Sequence, residues 1–88
     1  MQNPLPKPVK VKVHIEIRLS SRSELRAIMS ALVPDNINFP KGLFMKMTSR
    51  ENILVLEFLS EAGINTLLNT VDEVLEHVSI ARKVIDNA

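Results

Sequence analysis

Hydrophobic and polar positions along this chain switch between two periods, and each switch marks an element. In residues 9–19, Val9, Val11, Val13, Ile15, Ile17 and Leu19 alternate with Lys10, Lys12, His14, Glu16 and Arg18. Period two puts the aliphatic side chains on one face of a strand and the polar ones on the other. The spacing then changes to three and four, at Leu25, Ile28, Met29, Leu32 and Val33, which predicts a helix. Ser21 and Glu24 stand at capping-box spacing, with Ser20 or Ser21 as the N-cap, and Pro34 prevents continuation.

Residues 34–42 hold Pro34, Pro40 and the turn formers Asp35, Asn36 and Asn38, and read as a loop. A second strand follows over residues 43–48, with Leu43, Met45 and Met47 on one face and Phe44 and Lys46 on the other. After a polar turn at 49–52, residues 53–59 are apolar on nearly both faces, which predicts a central strand. The short link makes these two strands an antiparallel hairpin. Ser60 is then read as the cap of a long closing helix over residues 60–85. Its inner stripe is Ile64, Leu67, Leu68, Val71, Val74, Leu75, Val78, Ala81 and Ile85. A second stripe, Thr66, Thr70, Glu73, His77, Ile80 and Val84, lies on its other side and has no evident use in a lone domain.

The predicted order is β-α-β-β-α. It gives an α+β two-layer sandwich, a three-stranded antiparallel sheet with two helices on one face and strand one paired with strand three. Pro4, Pro6 and Pro8 make residues 1–8 an extended tail ahead of a single domain, residues 9–88.

Composition narrows the function. A chain of 88 residues makes one domain and buries roughly 60–65% of its unfolded surface, so its stability benefits from outside help. Cysteine is absent, which removes disulfides and thiolate metal sites and leaves oligomerisation as the aid. Eleven basic and ten acidic residues give a net charge of +1, and the aromatics are three Phe with no Trp or Tyr. A protein living on nucleic acid alone is normally more basic and richer in stacking platforms. No apolar run approaches the roughly 20 residues that span a membrane. The opening Met1-Gln2-Asn3-Pro4 lacks a charged segment leading into an apolar one, so the expected location is cytoplasmic.

Candidate chemistry is sparse. Glu73 and His77 at i, i+4 offer two metal ligands without a specific third, and Glu–His pairs at this spacing are ordinary helix-surface interactions. His14 sits on a charged strand face. Gly42 and Gly63 stand too far apart for a phosphate loop, and no serine has a nucleophile elbow. The expectation is therefore no catalytic residue, no metal, no cofactor and no enzymatic activity. Lys10, Lys12, Arg18, Arg22, Arg26, Lys41, Lys46 and Arg50 are the candidates for RNA contact. A solvated surface balanced by Glu16, Glu24 and Glu51 accounts for them more simply, and any RNA contact is expected to be auxiliary and salt-sensitive.

The element order carries a resemblance when taken with two stretches. Residues 31–36 (Ala-Leu-Val-Pro-Asp-Asn) end the first helix, and residues 67–77 (Leu-Leu-Asn-Thr-Val-Asp-Glu-Val-Leu-Glu-His) lie in the last. Together they resemble the small Pcc-type subunit of the KEOPS complex, closest to its archaeal forms, over about residues 9–86. The resemblance implies a non-catalytic subunit that dimerises and binds the Kae-type catalytic subunit. That complex attaches threonylcarbamoyl to the adenosine beside the anticodon of certain tRNAs. It also implies that both helices pack with helices of the catalytic subunit, which maps onto Ala27, Ser30 and Ala31 of the first helix. In the last helix it maps onto Thr66, Thr70, Glu73, His77, Ile80 and Val84, with tRNA engaged through the complex. Many members carry an arginine four residues before the asparagine matching Asn69, where this chain has Asn65. Both a homodimer and a heterodimer with a paralogous small subunit are open, the latter as an accessory paralogue. The alternative from a different class is a stand-alone RNA-binding module.

Overall fold

The alternating stretch forms β1 (Val11–Arg18), and the capped helical pattern forms α1 (Arg22–Ala31). The hairpin is β2 (Leu43–Arg50) with β3 (Ile53–Ser60), and the chain closes with α2 (Ile64–Asp86). This computed structural model describes residues 10–32 and 39–86. The predicted tail, Val9 and most of the predicted loop lie outside the described residues.

Neighbours in the sheet are antiparallel, in the order β1-β3-β2, so the strand that is apolar on both faces is the central one. The two helices cover one face. The core joins Leu25, Ile28 and Leu32 from α1 to Leu54, Leu56 and Phe58 from β3 and Leu67, Val71, Val74 and Val78 from α2. Each such side chain is worth about 1.5–3 kcal/mol for removal from water. Inward residues of the edge strands, Val13, Ile15, Met45 and Met47, are half-buried and pack against this core.

Ser21 is the N-cap of α1. Its backbone is extended, and its Oγ accepts from the Glu24 backbone N–H at 3.1 Å. Only this half of the capping box forms, because the Glu24 side chain turns inward. It is 6% exposed, and Arg82 Nε of α2 lies 3.3 Å from its Oε1 without hydrogen-bond alignment. The pair links the start of α1 to the end of α2 as a charge contact.

Several predicted boundaries move for physical reasons. Ser49 and Arg50 belong to β2 and not to a turn, since they continue the ladder opposite Leu54 and Ile53. Only Glu51 and Asn52 remain to reverse the chain, with Glu51 at φ 56°. Ser60 does not cap α2. It stays in the sheet opposite Val11 and Leu43. Its Oγ accepts from the Ala62 N–H at 3.1 Å and donates to the Gly63 carbonyl at 3.4 Å. Gly63, at φ +96°, turns the chain there, and the Leu67 N–H donates to the Gly63 carbonyl in the first turn of the helix.

The inner stripe of α2 is narrower than the sequence predicts. Leu67, Val71, Val74 and Val78 are buried and Ala81 and Ile85 half-buried, but Ile64, Leu68 and Leu75 are exposed, Leu68 by 51%. A helix on a single sheet, with one neighbouring helix, buries a band limited by what it touches. Aliphatic residues 60–100° around the helix from that band stay in water.

Candidate docking surfaces

Two surfaces combine exposed apolar side chains with no covering element among the described residues. The first is on α2. At about 1.5 Å per residue its 23 residues reach about 35 Å, and its end still packs inward through Ala81 and Ile85. Ile80 and Val84 lie in its last two turns, on the side away from the core, and are 52% and 65% exposed. His77, one turn before, is half-buried, and its Nε2 is 3.9 Å from Glu73 Oε1, the predicted helix-surface pair. Thr66 at the other end is half-buried. Thr70 corrects the predicted second stripe: it is buried, beside the core residue Val71, and offers nothing to a partner. On α1, Ala27 and Ser30 are exposed and Ala31 is half-buried.

The second surface is the sheet face away from the helices, which sequence reasoning treated only as a solvated or RNA-contacting face. The strand register arranges it in four rows running β1, β3, β2. They are Lys12–Leu59–Phe44, His14–Glu57–Lys46, Glu16–Val55–Thr48 and Arg18–Ile53–Arg50. The central column is aliphatic except for Glu57, and Phe44 at the rim is 58% exposed. Lys12, His14, Phe44, Lys46, Glu57 and Leu59 line an open recess of about 390 Å³ there. The signal for this surface was present in the sequence. A strand apolar on both faces in a fold with helices on only one face leaves its second face uncovered.

On that face His14 Nε2 donates to Glu16 Oε2 at 2.8 Å and Arg50 Nη2 to Glu16 Oε1 at 3.3 Å. The His14 hydrogen bond holds the Glu16 carboxyl below its ordinary value against the opposing effect of desolvation, with the Arg50 charge and that of protonated His14 helping. Of the candidate RNA contacts, Lys10 pairs with Glu61 at 3.5 Å and Arg50 with Glu16. Lys12, Arg18, Arg22, Arg26, Lys41 and Lys46 make no ion pair among the described residues. They are spread over different faces: Lys12, Arg18 and Lys46 on the open sheet face, and Arg22 and Arg26 beside a groove between α1 and the end of β2. Among the described residues no cluster of three or more His, Asp or Glu can hold a metal ion, and no helix is long and apolar enough to cross a membrane.

No family model matches the sequence, and no curated protein matches it. Among solved structures the chain is similar to one chain of the Gon7–Pcc1 binary complex, with a TM-score of 0.74 over 86% of this chain and 93% of that one. The two are 17% identical in sequence, so the likeness is one of fold. At that level the Pcc-type resemblance holds, and the compared chain is one whose structure was solved with a second, different protein.

Proposed function

We propose that this chain is a non-catalytic assembly subunit of a KEOPS-type tRNA-modifying complex. It docks on the Kae-type catalytic subunit through the outer side of α2 and pairs with a second small subunit. The carrying observation is the far end of α2, where Ile80 and Val84 stand exposed on a helix whose opposite side is already packed on its own domain. Exposed aliphatic side chains at i, i+4 on the outer side of a helix suit ridge-into-groove packing with helices of another protein. The fold shared with a chain of the Gon7–Pcc1 complex supports the reading. Contact with tRNA then belongs to the assembled complex, with Lys12, Arg18, Arg22, Arg26, Lys41 and Lys46 as its candidate residues.

The test is co-purification with the catalytic subunit. Ile80→Asp and Val84→Asp are expected to lose capture while the urea midpoint of the isolated chain stays within error, because neither side chain is in the core. Capture unchanged in both variants would sink the α2 assignment.

A further inference from the structure

We infer that the free edge of β1 is a strand-addition site for an acidic, extended segment of another protein. The segment pairs antiparallel with β1 and lays alternate aliphatic side chains into the groove between β1 and α2. This surface is separate from Ile80 and Val84 and from the open face of the sheet.

The backbone of β1 supplies the first requirement. The sheet order β1-β3-β2 leaves it with a neighbour on one side only. Its register with β3 runs one to one from Val11 to Arg18 without a bulge, and it holds neither Pro nor Gly. Bulges and prolines are the usual means of blunting an edge. Antiparallel ladders alternate between residues that exchange hydrogen bonds with the neighbour and residues that do not. The Leu19 N–H donates to the Asn52 carbonyl at 2.8 Å in continuation of the same register, which fixes the phase. Val13, Ile15 and Ile17 therefore bond toward β3, and Lys12, His14, Glu16 and Arg18 turn their N–H and C=O groups to the free side. A strand added there gains a ladder from Lys12 to Arg18.

Side chains supply the second. Ile17, Leu75, Val78, Ser79, Arg82 and Lys83 line an open groove of about 350 Å³ beside this edge. Leu75 is 36% exposed, and the exposed Ile64 and Leu68 lie within about 20° of it round the helix. These three aliphatics have core spacing, yet their own sheet does not cover them. The groove between α1 and the end of β2, by contrast, is bordered by Arg22, Arg26, Ser49 and Glu51, and offers an aliphatic strand less.

The register decides which segment fits. Residues opposite Lys12, His14, Glu16 and Arg18 project over the open sheet face, and those opposite Val13, Ile15 and Ile17 project toward the groove. Aliphatic side chains suit the groove positions. Lys12 and Arg18 make no ion pair among the described residues and take carboxylates opposite them. His14 and Glu16 already bond each other, so neutral residues suit the two positions between. The fitting segment is acidic at both ends and aliphatic at every second position. A second copy of β1 brings Lys12 and Arg18 against a single Glu16, and lacks the carboxylates this edge takes up.

The probe is an end-capped, fluorescein-labelled heptapeptide, Glu-Val-Thr-Val-Thr-Val-Glu, and fluorescence anisotropy reads its binding to the full chain. Saturable binding is expected, and the same peptide with Lys at both ends should bind about tenfold more weakly. N-methylation of the first, third, fifth and seventh residues removes the N–H groups that face β1 and should abolish binding. N-methylation of the second, fourth and sixth should be tolerated. Lys12→Glu combined with Arg18→Glu should reverse the preference between the acidic and basic peptides. Leu75→Asp should weaken both, with Leu68→Asp as the second groove variant at a more exposed position, and urea midpoints show that each variant is folded. Failure of the acidic peptide to bind saturably would overturn the inference. So would binding that ignores the methylation pattern, or a peptide preference that survives the charge reversal. Capture by the catalytic subunit depends on Ile80 and Val84, on the opposite side of α2, so the two readings fail separately.

Discussion

The two faces of β3 are nearly equal in composition and opposite in circumstance. Leu54, Leu56 and Phe58 point under the helices and are 1% exposed or less. Ile53, Val55 and Leu59 point the other way; Val55 is 7% exposed and the other two half-buried beside their edge-strand neighbours, with no second layer above them among the described residues. The hydrophobic pattern of a strand therefore reports how apolar its surroundings become, without saying whether its own chain or another supplies them. In this chain the inner face is satisfied by α1 and α2. The outer face carries the same kind of side chain with no covering element among the described residues.

The sharpest way to break that comparison is to remove the same residue type from each side. Phe58→Ala empties a fully enclosed site, and a loss of about 3–5 kcal/mol is expected in urea unfolding. Phe44→Ala removes a mostly exposed ring on the open face and should change stability by no more than about 0.5 kcal/mol. If the two losses were similar, the open face would already be packed in the isolated chain, and the distinction would collapse.

A smaller effect tests how the covering layer is held. Arg82→Ala leaves Glu24, 6% exposed, with no countercharge on α2. Breaking a fully buried pair costs 3–5 kcal/mol. The Arg82 side chain is itself 42% exposed, which allows water to reach the site, so about 1–2 kcal/mol is expected here. Glu24→Gln in the Arg82→Ala background should recover part of that loss, because the amide has no charge to leave stranded. Next in size is Ser21→Ala, which removes the acceptor for the Glu24 N–H at the start of α1 and should cost about 1 kcal/mol. Thermal unfolding of the three variants gives the order directly, and a Ser21 effect larger than that of Arg82 would make the cap, and not the charge contact, the main fastener of α1.

The covered half of the molecule was legible in the sequence because local pattern and tertiary environment agree there. The alternation in β1, the Ser21 cap and the doubly apolar β3 each lead to the observed element. What failed to read out was set by groups distant in sequence. Ser60 has the composition of a helix cap, yet its backbone is held opposite Val11 and Leu43. Ile64, Leu68 and Leu75 have core spacing, but only the width of the contact with the sheet decides which aliphatics of α2 are enclosed. Thr70 shows the reverse, a polar residue drawn into the buried band by its angle on the helix. The rows of the open face were beyond sequence reasoning because they depend on the register of three strands at once. Without that register, Lys12, Arg18, Lys46 and Arg50 are scattered basic residues and not one rim.

The smallest expected effect lies on the open face and concerns Glu16, the carboxylate held by His14 and Arg50. Its folded pKa is below its ordinary value, chiefly through the His14 hydrogen bond. A depressed carboxylate contributes stability that is fully present above the unfolded value, about 4.3 for Glu, and is lost as pH falls through the folded one. Glu16→Gln should therefore be slightly less stable than the natural chain at pH 6, with the difference fading in acid below about pH 4. Urea midpoints for the two proteins across that range provide the check. A gap that widened in acid would require a raised Glu16 pKa, and with it a face that already excludes water. The fading gap corresponds to an open face whose charges are still solvated, which is the condition under which they can choose a partner.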